Sequence, residues 1–456
     1  MNNSDQFGTS STVLADFNGD GISDLCVGAP LDDDGFTDAG AVYVVSLTRN
    51  GTVNSGQKIS LSSGNFSTSG LVSDDNFGSS VSAVSDLDGD GREELLVGTP
   101  YKDDGGTDRG GVYVLFLDRI SSDVKHFQVI SSTQGNFSGV LADGDNFGIS
   151  VCFVGDLNND GNAREVAVGA SLDDDGGSER GAIWILFLSS SGKVVQHVKV
   201  SSTSGGFPST LLKDGDRFGT SISNLGDVDG DGTTDLAIGA YWDDDGGTDR
   251  GAVYITFLLA SGNVKSVQKI SSTQGNFQGP LDNIDLFGIS VCSLGWDVDG
   301  NGLTTELAVG SFWDDDGGTN RGCVWILSLN SNGMVQSEMK ISQTSGGFTG
   351  SLDDSDLFGS SVWSFGLDLN LDGFGPDLVV GSYGDDDGGS DRGSAWILFM
   401  NGTKIASTTT TSTTTTTTTT RIGTTTTILN SRIVSSSQNV VPLLQLFLLC
   451  FAILVV

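Results

Sequence analysis

Short apolar runs rich in Val, Ile, Leu and aromatic side chains recur along most of the chain, separated by clusters of Gly, Asp and Ser. Val112 to Leu117, Ile183 to Leu188 and Val253 to Leu258 are typical. Short runs bounded by turn formers predict strands. No segment before the C-terminus sustains helical spacing over the roughly 10–12 residues that a helix needs. The pattern also repeats. Phe-Gly stands at Phe7-Gly8, Phe77-Gly78, Phe147-Gly148, Phe218-Gly219, Phe287-Gly288 and Phe358-Gly359, at spacings of 70, 70, 71, 69 and 71 residues. Each copy passes from Phe-Gly through an apolar stretch, an Asp/Gly loop, a short apolar run, a second acidic loop and a third apolar run. A polar connection and a fourth strand of the type Gln268-Lys269-Ile270-Ser271 complete it. Four strands per copy at this period predict an all-β fold, a β-propeller, which limits exposed edges by radial repetition. A β-solenoid is the alternative, but its rungs are much shorter.

The ends depart from the repeat. The sixth copy stops at Met400 with no recognisable fourth strand. From the six repeats, residues 1–405 are expected to form a propeller of six four-stranded blades, the sixth without a visible fourth strand of its own. Residues 406–439, dominated by Thr, cannot bury a core and are expected to form a disordered stalk. Residues 440–456 are a 17-residue apolar run broken only by Pro442 and Gln445. That length is the lower limit for spanning a bilayer, and no basic residue follows it. A terminal apolar tail behind small polar residues is also the pattern of a glycolipid-anchor signal. Either way, attachment to a membrane is the expectation. Met1 lies six residues before the first Phe-Gly with no leader between them, so a sequence truncated at its N-terminus is expected.

Composition sharpens the loops. Of 58 acidic residues only six are Glu (Glu93, Glu94, Glu165, Glu179, Glu306, Glu338), leaving 52 Asp beside 66 Gly. Asp with Gly belongs to turns and to oxygen ligands for hard cations. The net charge of −36 and pI near 4.1 exclude nucleic acid as a partner, because phosphate is repelled. Five cysteines without a CxxC pair suggest neither a zinc site nor a disulfide framework, and buried thiols are expected.

The first loop of each copy carries oxygen side chains at positions 1, 3 and 5, a Gly at 6 and an acid at 9. Three loops fit directly: Asp16, Asn18, Asp20 with Asp24; Asp86, Asp88, Asp90 with Glu94; and Asp227, Asp229, Asp231 with Asp235. Three have one residue more before the closing acid: Asp156, Asn158, Asp160 with Glu165; Asp297, Asp299, Asn301 with Glu306; and Asp368, Asn370, Asp372 with Asp377. Such oxygens converge because Gly allows a sharp turn, and Ca²⁺ accepts six to eight of them flexibly. Mg²⁺ demands stricter octahedral geometry. The loops are not EF-hands, since position 12 is Val27 or Val97 and the flanks are strands. The metal-free alternative is an Asx-turn hairpin.

Phe-Gly, an oxygen-rich loop and then Gly28-Ala29-Pro30 together resemble the FG-GAP repeat of integrin alpha-subunit β-propellers and their relatives. Later copies vary the last element as Gly98-Thr99-Pro100, Gly169-Ala170-Ser171, Gly239-Ala240-Tyr241, Gly310-Ser311-Phe312 and Gly381-Ser382-Tyr383. The resemblance covers about residues 5 to 400. It implies a propeller whose first strands line the channel, with Ca²⁺ loops stiffening one face and ligands docking on the other. Seven blades are usual in that family, so a seventh is an open expectation for a longer chain.

The second acidic loop, Asp103 to Gly110 and its equivalents, has two readings. It is a turn whose Arg109 or Arg250 pairs with a nearby Asp, or a ring that gathers cations or a basic partner. Catalysis finds little support. His126 and His197 occupy equivalent fourth-strand places in copies two and three, in separate blades and so too far apart to converge. Glycosylation acceptors stand at Asn50, Asn65, Asn136 and Asn401. The resulting expectation is a non-enzymatic, Ca²⁺-binding, membrane-anchored cell-surface propeller. Its partner would be an extracellular protein or glycan ligand. The alternative is an accessory propeller or fragment of an extracellular enzyme.

Overall fold

The computed structural model describes residues 4–49, 52–118, 121–298, 300–386 and 393–400, and the backbone of 429–434. The apolar runs form strands throughout. Blade 1 contains β1 (Ser10–Leu14), β2 (Asp24–Ala29), β3 (Ala41–Leu47) and β4 (Val53–Ile59). Blade 2 contains β5 (Ser80–Val84), β6 (Glu94–Thr99), β7 (Gly111–Leu117) and β8 (Val124–Ser131). Blade 3 contains β9 (Phe147–Gly155), β10 (Glu165–Ala170), β11 (Ala182–Leu188) and β12 (Val194–Ser201). Blade 4 contains β13 (Ile222–Gly226), β14 (Asp235–Ala240), β15 (Ala252–Leu258) and β16 (Val264–Ser271). Blade 5 contains β17 (Val291–Ser293), β18 (Glu306–Ser311), β19 (Cys323–Leu329) and β20 (Val335–Ser342). Blade 6 contains β21 (Phe358–Ser364), β22 (Leu378–Ser382), β23 (Ser394–Phe399) and β24 (Leu429–Val434). Each sheet is an antiparallel meander in chain order. The second and third strands are buried on both faces, which explains their near-continuous apolar sequences.

The sixth sheet corrects one expectation. A fourth strand is present: β24, from beyond the Thr tract, pairs with β23 and places Arg432 opposite Trp396. Its sequence, LNSRIV, is too unlike QKIS to be recognised by pattern.

The Phe-Gly and Gly-Ala-Pro elements are the joints between blades. The Ser10 hydroxyl donates to the Gly78 carbonyl of the next blade at 2.8 Å, and Ser80, Ser150, Ser221 and Ser290 do the same in turn. Ser361 donates to Gly8 at 2.8 Å, so the sixth blade lies directly against the first. Apolar packing supports this closure, with Phe7, Leu25 and Val27 clustered with Phe365, Val379 and Ile397. Glycine is required at the joint. A Cβ on Gly239 would lie 2.0 Å from the Gly288 carbonyl oxygen and 2.3 Å from Ser221 Oγ. The six Phe-Gly phenylalanines fill the wedges between sheets, five of them at 0% exposure and Phe7 at 3%. Cys26, Cys152, Cys292 and Cys323 are free and buried, as expected, and burial raises their thiols.

Candidate metal centres

The first acidic loops connect the innermost strand of each blade to the second. The first Asp organises each turn by accepting backbone N–H groups. Asp86 accepts from Gly89 at 2.7 Å, Asp90 at 3.0 Å and Gly91 at 2.7 Å. Asp16 and Asp227 repeat all three bonds. Asp156, Asp297 and Asp368 likewise accept from the residues four and five places on. The loop needs left-handed backbone, which Gly89 and Gly91 supply at φ of 83° and 87°.

The closing acid pins the loop to the sheet. Asp24, Glu94, Glu165, Asp235 and Asp377 each accept from the backbone N–H of the loop's second residue. The extra residue in the third and sixth loops therefore does not release that acid. Where the acid is Asp, its other oxygen accepts from the third strand or its end, at Leu47, Leu258 and Met400. Glu306, which closes the fifth loop, is also buried; Asp299 lies outside the described residues.

Among the described residues, three or more carboxylates approach within 4.8 Å of one another at two loops. These are Asp86, Asp88, Asp90 and Glu94 in blade 2, and Asp227, Asp229 and Asp235 in blade 4. Burial pushes Glu94 up to about 8, with Asp88, Asp86 and Asp90 adding repulsion, and pushes Asp235 up to about 6. An oxygen-only donor set with mutually repelling carboxylates fits a hard cation such as Ca²⁺.

A family model described as FG-GAP repeat matches residues 7–45, 77–115 and 218–256. Integrin alpha-PS2 of Drosophila melanogaster is 32% identical over 250 residues, covering 53% of this chain and 16% of that protein. Integrin alpha-5 of Xenopus laevis is 33% identical over 252 residues, covering 53% of this chain and 20% of that one. Three of the six repeats match the FG-GAP repeat, and about half of the chain is similar to integrin alpha subunits. The FG-GAP propeller thus matches a fifth or less of those relatives' length. Among solved structures, that of BBS1N in complex with ARL6DN, soaked with lead, overlaps at a TM-score of 0.38 and 11% identity. The overlap covers 84% of this chain and 77% of that one.

On the opposite face of the FG-GAP propeller, the second acidic loops hold their charges internally. Arg109, Arg180 and Arg321 pair with Asp143, Asp214 and Asp354 of the connection into the next blade, while Arg250 donates to Asn283. Sequence reading anticipated an Asp partner for Arg109 or Arg250, which holds for Arg109 and not for Arg250, and it missed a deeper pairing. Lys58, Lys199, Lys269 and Lys340 reach from the fourth strand to two Asp of the same loop. A constant spacing of 26 residues from Asp32, Asp173, Asp243 and Asp314 to these lysines was the available signal. Blade 2 inverts the arrangement. Lys102 takes the Asp position, Val129 takes the Lys position, and Lys102 pairs with Asp75 at 3.4 Å.

Next to these clusters, burial raises Asp145 to about 6 and Asp216 and Asp285 to about 7, with Asp173, Asp243 and Asp314 respectively adding repulsion. A folded-state carboxyl above its unfolded value near 4 binds a proton that the unfolded chain has released, so stability falls as pH rises between the two values. The FG-GAP propeller should therefore lose melting temperature from pH 5 to pH 7.5 at fixed salt and calcium. The Asp216→Asn/Asp285→Asn variant should lose less. Equal slopes in both proteins would exclude these groups as the cause.

The histidines are not equivalent. His126 pairs with Phe116, whereas His197 pairs with Leu186, one position further along its strand. His126 stacks on Phe116 at 4.1 Å, and His197 packs edge-on to Trp184 near Ser138. The residues following the Gly-Ala-Pro element expose aromatic surface on this face, at Tyr101 (39%), Trp242 (36%) and Trp313 (37%). The Arg217 guanidinium lies 4.2 Å from the Trp242 ring centroid, donates to Tyr241 and pairs with Glu179. Among the described residues no helix is long and apolar enough to cross a membrane; the tail at 440–456 lies outside them.

Proposed function

We propose that the FG-GAP propeller is the ligand-capturing part of a cell-surface adhesion protein. Ca²⁺ in the first acidic loops stiffens one face, and an extracellular protein or glycan docks on the other. The aromatic surface of Tyr101, Trp242 and Trp313 carries this reading. Large aromatic side chains beside an arginine, on an otherwise acidic molecule, are the composition of a contact surface rather than a solvated one. Their place in the fold supports it further. They stand on loops held rigidly by buried Lys–Asp pairs, so a ligand would meet a preorganised surface. The integrin alpha subunits among its relatives favour adhesion over chemistry. Attachment through residues 440–456, by a spanning helix or a glycolipid, belongs to the same proposal.

The test is a cell-attachment assay on the immobilised secreted propeller, residues 1–439 behind a heterologous leader. Attachment should require calcium, and Trp242→Ala/Trp313→Ala should weaken it about tenfold, as removal of two aromatic anchors does. Unchanged melting would show that the fold survives. Full attachment by that variant would rule out this face.

A further inference from the structure

Two of the six loops carry four carboxylates in the metal-ligand positions, and over each of these stands a lysine. In blade 2, Lys125 Nζ of β8 lies 2.7 Å from Asp90 and 3.9 Å from Asp88. In blade 4, Lys265 Nζ of β16 lies 2.7 Å from Asp229 and 2.5 Å from Asp231. The other four loops replace one carboxylate by an amide, at Asn18, Asn158, Asn301 and Asn370. At the strand position of the two lysines, blades 1, 3 and 5 carry the uncharged Asn54, Val195 and Gln336. Four carboxylates with one ammonium, and three carboxylates with one amide, have the same formal charge of −3. Blades 1 to 5 thus reach one charge by two routes. Two arginines outside the ligand and lysine positions also add positive charge near these loops, Arg92 by Asp90 and Arg164 by Asp160. Arg92 and Arg164 donate to the Phe17 and Leu87 carbonyls of the preceding loop.

We propose that Lys125 and Lys265 are built-in counter-charges that set the calcium affinity of the second and fourth loops to that of the loops containing asparagine. The inference rests on the cation reading of these loops. The geometry suits the role. Each ammonium holds the outer oxygen Oδ2 of its Asp partners. The inner oxygen Oδ1 of Asp88 and of Asp229 still faces the loop, accepting from the Asp90 and Asp231 N–H groups. A metal could be ligated from inside while the lysine steadies the same carboxylates from outside. Its positive charge, a few ångströms from a divalent ion, opposes binding and offsets the fourth carboxylate. Without metal, the same charge relieves repulsion among the carboxylates. Asp90 and Asp231 are accordingly held below the usual carboxylate range, first of all by the hydrogen bond from the lysine. A plain surface ion pair would also bring Lys and Asp together, but it would not set metal affinity.

Calcium chloride titration of the full chain by calorimetry at low ionic strength tests this in four proteins. Lys125→Gln/Lys265→Gln should tighten binding at two sites by about three- to tenfold, the scale of one partly screened charge acting on a divalent ion. Asp88→Asn/Asp229→Asn should weaken it by a similar factor. Combining all four substitutions should restore affinity to within about twofold of the natural chain. The lysine variant should also melt lower without calcium and gain more on adding it. Unchanged calcium affinity in the lysine variant, or no restoration in the combination, would overturn the inference while leaving the cation reading intact. No calcium heat in the natural chain would overturn that reading, and the inference with it.

Discussion

Lys269→Ala should destabilise the propeller by about 3–5 kcal/mol, the usual result of removing one partner of a buried ion pair. Only 4% of the Lys269 side chain and 1% of that of Asp243 are exposed, so solvent cannot replace the lost ammonium. Asp243 also accepts from the Tyr254 hydroxyl at 2.9 Å, and Asp245 shares the lysine at 2.7 Å. Deleting the lysine therefore leaves two carboxylates facing each other beside an aromatic core. The contrast is Arg109→Ala. Its partner Asp143 is 60% exposed, so that pair is worth at most about 1 kcal/mol. Urea unfolding of both variants decides the matter. Equal small losses would show that the Lys–Asp cluster is no more than a surface ion pair. Blade 2 supports the larger figure for the cluster, because exchanging the residues still keeps a buried cation, Lys102, next to a buried Asp75.

That cluster also marks where sequence reading stops. The six-blade architecture and the position of every first acidic loop were legible, because Phe-Gly and the Asp/Gly spacing recur with almost no drift. Their physical origin explains the regularity. The Phe-Gly carbonyl and the Gly-Ala-Pro glycine meet at every joint, and no Cβ fits there. The lysines were harder to see. They fill the role in four blades from the fourth strand and in blade 2 from the loop, so a column-by-column comparison shows a substitution where the structure shows an exchange. Strand β24 was hidden differently. An outer strand exchanges backbone hydrogen bonds with one neighbour only, so sequences as unlike as LNSRIV and VQSEMKIS can fill the place. The histidine register was misjudged by one residue, which in a strand reverses the face.

Withdrawing calcium should lower the melting temperature more than any single substitution in the loops. Ions that bind only the folded state stabilise it by mass action, about 2.7 kcal/mol per site at a hundred times the dissociation constant. If the first acidic loops bind calcium as proposed, several such sites would act together. The loops also hold their own reason to need an ion. Four carboxylates crowd within 4.8 Å in blade 2, and the buried one of them, Glu94, is pushed up to about 8. Near neutral pH the metal-free loop keeps that proton or tolerates the repulsion, and a divalent cation removes both costs. Asp86→Ala should reproduce part of the loss locally, since it also deletes the acceptor for the Gly89, Asp90 and Gly91 N–H groups. Asp227→Ala should do the same in blade 4. Calorimetric melting with calcium, with magnesium and with a chelator separates the possibilities. Calcium should raise the transition in both variants less than in the natural chain, and magnesium should raise it least, because it resists a flexible shell of six to eight oxygens. Identical melting with and without chelator, together with no calcium binding below millimolar, would reduce the loops to Asx-turn hairpins. The excess of Asp would then be explained by turn formation alone.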